Sequence, residues 1–476
     1  MTPDPYDIGA RAVAATIYRG RRDIAGDRVG APPTTPCALQ GGAAMSYADV
    51  LAAKRQKAAR AGLDFTDRDV HRTLHPWQRG IVTWACRVGR AAIWADTGLG
   101  KTFMQIEWLR LMAAGRIGLI VAPLAVCQQT VREAAKLGVR ASYVREMPTE
   151  PGMYVTNYEM VPHFDADQIA AVVLDEASIL KQSDGRTRTM LIAHFGHVPY
   201  RLACTATPAP NDPEELTNQA EFLGQMTRVN MLAAYFVHDQ DGWRLKGHGR
   251  RPMIEWLSTW AVALRRPSDL GHDDHGYILP GLEIIPQYVH VPLEADDGQL
   301  FASDLGGVGG RAKVRRETLD ARVQRAASII LAEPDEPWLI WCGLNDEAQR
   351  IAAAVGGTNV HGSLSPEEKA GALLDFADGK IQRLITKPGI ASQGLNYQHC
   401  ARMVFVGLSD SYEQYYQSIR RCYRYGQTRI VHAHIVLSEL ESQIAANVAR
   451  KEREASQLNN DLVAQMRRAR NLETAS

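Results

Sequence analysis

The sequence lacks long apolar runs and has almost no net charge. No stretch of about 18 consecutive apolar residues occurs, so no transmembrane helix is predicted. The 476 residues include 54 Lys and Arg against 53 Asp and Glu, which leaves a formal net charge of +1. Such a balance neither supports nor excludes nucleic-acid binding, because that binding depends on local basic patches. The first residues, MTPDPYDIGARAVAA, also lack the basic start and apolar core of a secretory signal.

Cysteine is scarce and follows no pattern. The seven cysteines are odd in number, contain no CxxC pair, and in several cases lie inside apolar strand-like runs. This indicates reduced core residues of a cytoplasmic protein rather than a disulfide framework or a zinc site. The loop HDDH (His272–His275) has metal-capable side chains without further ligands, so a solvated loop is favoured over a metal site there.

The length of the chain and the order of its segments predict the fold. A chain of 476 residues exceeds one ordinary core, so two or three domains are expected. Apolar strands alternate with helical segments, which indicates an α/β protein with parallel sheets covered by helices. The sequence leaves open whether the last helix is an exposed arm or packs back. The expected parts are a partly disordered N-terminal leader and helix (1–70), a first lobe (71–225), a mainly helical insertion or linker (226–330), a second lobe (331–440) and a C-terminal helix (441–476).

The stretch AAIWADTGLGKTFMQIEWLR, from Ala91 to Arg110, contains the most specific local motif. A short apolar strand precedes the loop ADTGLGKT (Ala95–Thr102) and a helix that is predicted to begin at Lys101. This is a Walker A pattern, in which backbone N–H groups and the lysine hold phosphates and the threonine hydroxyl holds Mg²⁺. An ordinary Gly-rich turn before a helix is the alternative. The candidate nucleotide contacts are Thr97, Gly98, Leu99, Gly100, Lys101 and Thr102.

Two carboxylates follow a buried strand in AAVVLDEASILK (Ala170–Lys181). A parallel strand would deliver Asp175 and Glu176 to its C-terminal edge, where α/β proteins bind ligands. Mg²⁺ prefers oxygen ligands, so Asp175 is predicted to hold the ion together with Thr102. Glu176 is predicted to orient and deprotonate the attacking water. A surface turn after the strand is the alternative interpretation.

The segment SYEQYYQSIRRCYRYGQ (Ser411–Gln427) is predicted to form a helix that ends at Gly426. Gln417, Arg421 and Arg424 then fall at i, i+4 and i+7 on one face. A row of guanidinium groups is poor core material, so it must face water, an acidic partner or phosphate. With an ATP site elsewhere in the chain, Arg421 and Arg424 are predicted to be arginine fingers that reach the γ-phosphate across a cleft. A solvated surface stripe is the alternative.

Together these motifs resemble those of the superfamily 2 helicase-like motors, and within them the Swi/Snf-type DNA translocases. In the first lobe the resemblance rests on LHPWQRGIVTW, ADTGLGKT, LDEAS and TATPAPNDPEELTNQAEFL. In the second lobe it rests on HGSLSPEEKAGALLDF, TKPGIASQGLNYQHC and QSIRRCYRYGQ. It covers Leu74 to Leu437 with the motifs in the family's order, and it extends to compact DEAD/DEAH-box-like motors encoded by phages and prophages.

The resemblance implies two tandem RecA-like domains, with ATP and Mg²⁺ in the cleft between them and DNA across both. It makes Gln78 a candidate contact to the adenine, and Gly394 and Gln427 candidate nucleotide contacts on the second lobe. The DNA contacts would go mainly to phosphate and sugar, giving motion without sequence preference. The residues for which the resemblance implies a contact to the tracking DNA strand are Pro123, Tyr158, Thr207, Ser392 and Asn396.

The leading hypothesis is a DNA-dependent ATPase, a translocase or helicase that converts lobe closure into movement along DNA, with duplex favoured over single-stranded DNA. One alternative is an ATP-controlled DNA-binding switch, or the motor subunit of a larger phage or defence complex, without strand separation. A P-loop kinase is disfavoured because it leaves the second lobe and its arginines unexplained. No nuclease or methyltransferase motif is evident, so DNA cleavage or modification would need a protein partner. The expected location is the cytoplasm of a prokaryotic or phage-infected cell.

Overall fold

The structure, a computed structural model, contains two lobes that are each built on a large parallel sheet. This confirms the predicted α/β class with two RecA-like domains. Most of the predicted N-terminal leader lies outside the described residues, as do the candidates Ser392 and Gly394. The described residues are 61–181, 185–240, 242–291, 315–391, 396–409 and 411–474.

The strands lie throughout the described part of the chain and are short. In chain order they are β1 (Arg90–Ala95), β2 (Ile117–Ala122), β3 (Ala141–Tyr143), β4 (Gly152–Asn157), β5 (Ile169–Asp175), β6 (Tyr200–Cys204), β7 (Phe236–Asp239), β8 (Gly242–Leu245), β9 (Ala261–Leu264), β10 (Leu282–Val289), β11 (Trp338–Cys342), β12 (Thr358–Val360), β13 (Arg383–Thr386), β14 (Arg402–Val406) and β15 (Val431–Ser438).

The helices alternate with these strands. The α-helices are α1 (Pro76–Val88), α2 (Lys101–Ala113), α3 (Leu124–Lys136), α4 (Arg186–Phe195), α5 (Leu216–Phe222), α6 (Arg228–Tyr235), α7 (Arg250–Leu257), α8 (Leu319–Ala332), α9 (Asn345–Val355), α10 (Pro366–Ala377), α11 (Pro388–Ala391), α12 (Tyr412–Ile419) and α13 (Ser442–Thr474). Short 3₁₀ turns lie at Tyr158–His163, Ala166–Gln168, Ala177–Lys181, Pro213–Glu215, Gly247–Gly249, Pro267–Leu270 and Glu439–Glu441.

Each sheet defines one lobe. Lobe 1 carries the sheet ordered β3-β4-β2-β5-β6-β1-β9, and lobe 2 carries the sheet ordered β10-β15-β14-β11-β13-β12. The pairings within both sheets are parallel. β2 and β5 are buried along their whole length, which explains why they read as continuous apolar runs. Because only β6 separates β1 from β5, the loop after β1 and the carboxylates after β5 meet at one sheet edge.

The segment 226–330, predicted to be mainly helical, has mixed structure where it is described. It contains the antiparallel hairpin β7–β8, which pairs with neither large sheet. β9 extends the lobe 1 sheet beside β1, and β10 begins the lobe 2 sheet beside β15. Short apolar runs such as AVAL in β9 find an open sheet edge to pair with, and a strand is therefore favoured over a helix there. The chain crosses from lobe 1 to lobe 2 between β9 and β10.

The C-terminal helix α13 packs back on the protein and touches both lobes, which answers the question that the sequence left open. Its first part buries small residues in the lobe 2 core, and its later part buries larger ones in the lobe 1 core. The lobe 2 contacts are Ala445, Val448 and Ala449, and the lobe 1 contacts are Leu458, Leu462 and Val463. Helix α13 is therefore a second link between the lobes, in addition to the crossing between β9 and β10.

The cysteines in the described part of the chain are packed in the protein interior. Six cysteines are buried with free thiols, as expected for core residues. Burial raises the pKa of the Cys86 thiol well above its usual value, so it stays protonated.

Within the described residues, no group of three or more His, Cys, Asp or Glu side chains is arranged to hold a metal ion. No helix of this part of the chain has the length and apolar character needed to cross a membrane.

Candidate nucleotide site between the lobes

The loop between β1 and α2, residues 95–102, is called the P-loop below. Helix α2 begins at Lys101, which confirms the predicted start. Gly98 and Gly100 have φ angles of 87° and 72°, a left-handed conformation that glycine adopts without strain. The Lys101 ammonium donates hydrogen bonds to the carbonyl oxygens of Ala95 at 2.8 Å and Asp96 at 3.3 Å. The lysine therefore folds over its own loop, at the place where phosphate would bind.

Gln78 supports the P-loop from behind. Its Oε1 accepts the His75 backbone N–H at 2.8 Å, and its Nε2 donates to the Leu99 carbonyl oxygen at 3.0 Å. A Cβ atom added to Gly100 would lie 2.5 Å from Nε2, so the Gln78 amide would have to shift to make room for it. Gln78 is buried and both ends of its amide are engaged, and it therefore joins the start of α1 to the P-loop in this structure.

Asp175 ends β5 and is buried beside the P-loop. Gln105, one turn after Lys101 on α2, donates from Nε2 to Asp175 Oδ1 at 2.6 Å. Burial raises the pKa of Asp175, while this hydrogen bond and the Lys101 charge oppose the rise. The Tyr158 hydroxyl donates to the Asp175 carbonyl oxygen at 2.5 Å. Tyr158, predicted to contact DNA, thus has its hydroxyl turned inward onto the β5 end.

Glu176 follows with a φ of 55°, a conformation that is strained for a residue other than glycine. Such strain is found where a side chain must be aimed in a particular direction. Burial raises the pKa of Glu176 to about 7, although the Lys101 charge pulls it down. The Thr205 hydroxyl, at the end of β6, lies 3.4 Å from Glu176 Oε2. A carboxylate with a pKa close to neutrality is well suited to accept a proton from water.

The turn 420–424, which carries Arg421 and Arg424, differs from the sequence prediction. Helix α12 ends at Ile419, so these arginines lie on a turn and not on the helical stripe predicted through residue 426. The Arg421 carbonyl oxygen accepts the Tyr397 backbone N–H at 2.8 Å and is thus taken by a loop 24 residues earlier. This contact, which no local pattern reveals, keeps the Arg421 carbonyl oxygen from accepting a helical hydrogen bond further along the chain.

A cavity of about 220 Å³ between the lobes brings the predicted residues together. From lobe 1 its lining includes Thr97, Gly98, Gly100, Lys101, Thr102, Asp175 and Glu176. From lobe 2 it includes Asn396, Arg421 and Arg424. Burial lowers the pKa of Arg424, and the Arg421 and Arg420 charges add to this effect. Among the described residues none forms an ion pair with Arg424, and the cavity therefore has positive charge placed to receive an anion.

Three predicted residues are placed differently from expectation. Asn396, predicted to contact DNA, lines the nucleotide cavity because the adjacent Tyr397 is bonded to Arg421. Its Oδ1 is buried without a hydrogen-bond partner among the described residues, as expected of a ligand-binding acceptor. Gln427 turns away from the cavity, since its Nε2 donates to the Cys400 carbonyl oxygen at 3.0 Å. Thr207 lies behind the P-loop in a small cavity of about 40 Å³.

A second cavity of about 470 Å³ also lies between the lobes. Pro123 and Tyr158, two of the predicted DNA contacts, line it from lobe 1, and Gly389 and Ile390 line it from lobe 2. Its basic lining residues are Lys181, Arg186 and Arg188. Lys181 pairs across the cleft with Glu413 of α12, and Arg188 pairs with Glu221. This groove is the candidate surface for nucleic acid.

Sequence reasoning missed two supporting residues of the nucleotide site. Gln105 belongs to no motif, and its only signal in the sequence is a polar residue among apolar ones, four positions after the P-loop lysine. Arg420 lies off the predicted helical stripe of Arg421 and Arg424, so the pattern assigns it no role. In the structure Arg420 forms an ion pair with Asp96 of the P-loop.

Comparison with known proteins gives matches in both lobes. Residues 77–229 match the family described as the SNF2-related domain, and residues 321–426 match the helicase conserved C-terminal domain. "Putative protein p41" of Acyrthosiphon pisum secondary endosymbiont phage 1 is 23% identical and is matched over 73% of this chain and 88% of its own length. The "Sulfolobus solfataricus SWI2/SNF2 ATPase core in complex with dsDNA" is 17% identical, with a TM-score of 0.41 over 79% of this chain and 90% of that one.

Proposed function

The chain is a Swi/Snf-type member of the superfamily 2 helicase-like proteins, and from this premise we propose that it is a DNA-dependent ATPase that moves along duplex DNA without separating the strands. The observation that carries the proposal is the split cavity. Lys101, Asp175 and Glu176 reach it from lobe 1, and Arg421 and Arg424 reach it from lobe 2. Neither lobe has the full set, so ATP hydrolysis requires that the two lobes come together.

The lobe 1 residues fit a nucleotide with its Mg²⁺ ion. The P-loop N–H groups and Lys101 would hold the phosphates at the start of α2. Thr102 and Asp175 would hold Mg²⁺, which supplies positive charge to screen the phosphate oxygens. Asp175 uses Oδ1 for Gln105, and its carboxylate keeps acceptor capacity for the ion. The phosphates and water would complete the ligand set, in keeping with the preference of Mg²⁺ for oxygen.

The remaining residues act on the reacting groups. Glu176 accepts the proton of the attacking water, a role that its near-neutral pKa suits. Arg421 and Arg424 stabilise the negative charge that develops on the phosphate as the bond to it breaks. Because both arginines belong to lobe 2, they act only when that lobe is closed on lobe 1. Cycles of closing and opening are then coupled to ATP turnover, which is how the protein would step along DNA.

The groove with Pro123 and Tyr158 is where we propose that DNA lies. It spans both lobes on a path separate from the nucleotide cavity, although Glu176 lines both. Arg186 supplies positive charge for phosphate contacts, which carry no sequence information. A carboxylate shared between the two cavities offers a short route by which bound DNA alters the ATPase centre.

The proposal is tested by ATP turnover with no nucleic acid, single-stranded DNA, duplex DNA and RNA, each at two salt concentrations. We expect duplex DNA to stimulate turnover most, and the stimulation to weaken as salt rises. Lys101→Ala is the inactive control. A rate that no nucleic acid changes would refute the proposal.

Movement needs a separate assay, because a DNA-binding switch would also show ATP-dependent affinity. Displacement of a third strand from a DNA triplex reports translocation, and release of one strand of a forked duplex reports unwinding. We expect triplex displacement with ATP and no strand release. Strand release would make the protein a true helicase, and the absence of both would favour the switch.

A further inference from the structure

Asp96 is the first residue after β1, and it contacts both lobes. Within lobe 1, its Oδ1 accepts the Thr97 backbone N–H at 2.6 Å and so shapes the start of the P-loop. From lobe 2, the Tyr416 hydroxyl donates to the same oxygen at 2.5 Å. The Arg420 guanidinium forms an ion pair with Oδ2. We call Asp96, Tyr416 and Arg420 the interlobe latch.

Arg420 is held ready for this contact by its own lobe. Its guanidinium lies 5.3 Å from the Tyr416 ring centroid and 5.4 Å from that of Tyr423. It also donates to the Tyr423 carbonyl oxygen at 3.3 Å. Cation–π contacts on two rings restrict the side chain before it meets its partner. Lobe 2 therefore presents a preorganised cation to the P-loop.

The ion pair of the latch is buried and nonetheless ionised. Burial by itself raises the pKa of Asp96, but the Arg420 charge, the Tyr416 hydroxyl and the Thr97 N–H together hold that pKa below its usual value. Only 6% of Asp96 and 2% of Arg420 is exposed. A buried pair adds little net stability because both ions lose water, but removing one partner is costly. The pair thus makes the closed arrangement selective for one register of the two lobes.

The position of Arg420 in the chain gives the latch its consequence. It directly precedes Arg421 and lies four residues before Arg424, at the start of the turn that brings both into the nucleotide cavity. Its own lobe also holds that turn, because the Tyr397 N–H donates to the Arg421 carbonyl oxygen and Gln427 Nε2 donates to the Cys422 carbonyl oxygen at 3.3 Å. The turn is therefore fixed to the P-loop at Arg420 and to lobe 2 at the two residues that follow.

We infer that Arg420 and Tyr416 are positioning residues, which grip Asp96 so that Arg421 and Arg424 face the phosphates when the lobes close. This inference rests on the proposed ATPase function and adds to it a direct link between the two halves of the site. Lobe 2 contacts the P-loop directly through Asp96, in addition to any contact with the nucleotide.

The test compares Arg420→Gln with the wild-type chain in steady-state ATP hydrolysis with duplex DNA. Small misplacements of catalytic groups are costly, so we expect kcat to fall by about tenfold or more and KM for ATP to stay within about threefold. The matched control is Arg350→Gln, because Arg350 pairs with Asp320 on the exposed surface of the same lobe. A kcat within about twofold of wild type, or a rise in KM alone, would overturn the inference.

Two further variants separate positioning from a folding defect. Tyr416→Phe removes a single hydroxyl from the latch and keeps the ring, and we expect a smaller fall in kcat of about two- to fivefold. The pair Asp96→Asn and Arg420→Gln should be non-additive, with the double variant no slower than the slower single one. Losses that multiply in the double variant would show that the residues act independently, and they would contradict the latch.

Small-angle scattering without DNA distinguishes failure of the latch from failure of the proposed function. We expect Arg420→Gln to have a larger radius of gyration than wild type, because the lobes open, and Arg350→Gln to match wild type. If DNA does not stimulate the wild-type ATPase, the proposed function fails while the scattering comparison still decides the latch. Equal radii for wild type and Arg420→Gln would overturn it.

Discussion

The two lobes each contain a buried strand that leads through a loop into a helix, but they use the loop differently. In lobe 1 the P-loop, between β1 and α2, lines an open cavity. In lobe 2 the carboxylate of Glu347 occupies the corresponding place in the loop between β11 and α9. Glu347 accepts the backbone N–H groups of Gly343 at 2.7 Å and Leu344 at 2.9 Å, and it pairs with the fully buried Arg322 at 2.6 Å.

This difference shows how one architecture serves two tasks. A helix N-terminus with free N–H groups attracts an anion, whether that anion is a ligand or a side chain. Lobe 1 leaves the place open for the phosphates of a nucleotide. Lobe 2 fills it with Glu347, and the arginines that it brings to the nucleotide cavity, Arg421 and Arg424, lie instead on the turn 420–424.

The largest expected effect separates nucleotide binding from catalysis by lobe. Because we propose Arg421 as an arginine finger, Arg421→Ala is expected to lower kcat by about 10³-fold or more. It should leave the affinity for a fluorescent ATP analogue nearly unchanged, since the phosphate contacts that we propose belong to lobe 1. Lys101→Ala should lose affinity as well. Equal loss of affinity in both variants would mean that lobe 2 shares in holding the nucleotide, and the contrast between the lobes would fail.

A second prediction concerns the carboxylate that fills the lobe 2 loop. Glu347→Ala leaves the buried Arg322 charge without its close partner and should lower the free energy of unfolding by about 3–5 kcal/mol. Urea titration followed by far-UV circular dichroism measures this loss. Asp320→Ala, which removes an exposed partner of Arg350, is the control and should cost at most about 1 kcal/mol. Similar losses of stability for both variants would show that Glu347 does not hold the lobe 2 loop more strongly than an exposed ion pair does.

The third prediction is a pH dependence that arises in lobe 1. Because the pKa of Glu176 is raised to about 7, its carboxyl group is protonated below that pH and cannot accept a proton from water. The deprotonated fraction of Glu176 falls about tenfold between pH 8 and pH 6. Turnover should fall by the same factor, because only the deprotonated form can act as the base. The measurement is kcat/KM at saturating Mg²⁺ across this range. A flat profile would show that Glu176 is not the base.

The smallest expected effect lies on α13, where it meets lobe 1. Asp461 pairs with Arg250 at 2.6 Å, but both side chains are partly exposed. Asp461→Ala should lower the free energy of unfolding by less than about 1 kcal/mol, and the effect should shrink as salt is added. Thermal unfolding at low and high salt measures this. A larger loss that is insensitive to salt would contradict this prediction. It would mean that the ion pair, and not only the apolar contacts of α13, anchors the helix on lobe 1.

The predictable parts of the site are those whose geometry depends only on residues that are neighbours in the sequence. A glycine-containing loop that enters a helix at Lys101 specifies its own geometry, and a strand that ends in Asp175 must deliver that residue to a sheet edge. The fold class followed from the same alternation of strands and helices. In each case a few neighbouring residues carry the whole signal.

The rest depended on contacts between distant residues. The turn at 420–424 is bonded to Tyr397 through the Arg421 carbonyl oxygen, and the adjacent Asn396 lines the nucleotide cavity beside that contact. Arg420 meets a partner 324 residues away in the sequence. No periodic pattern records such pairings, so a regular helix was the natural but wrong prediction for this segment.

Helix α13 and the crossing between β9 and β10 together decide which relative motions are open to the protein. Two rigid bodies joined at one place can swing and twist freely. Joined at two places, they retain mainly one rotation, about the line through both attachments, while translation and the other rotations are suppressed. Opening of the cleft is then expected to follow one axis, which favours return of the same surfaces to the same register.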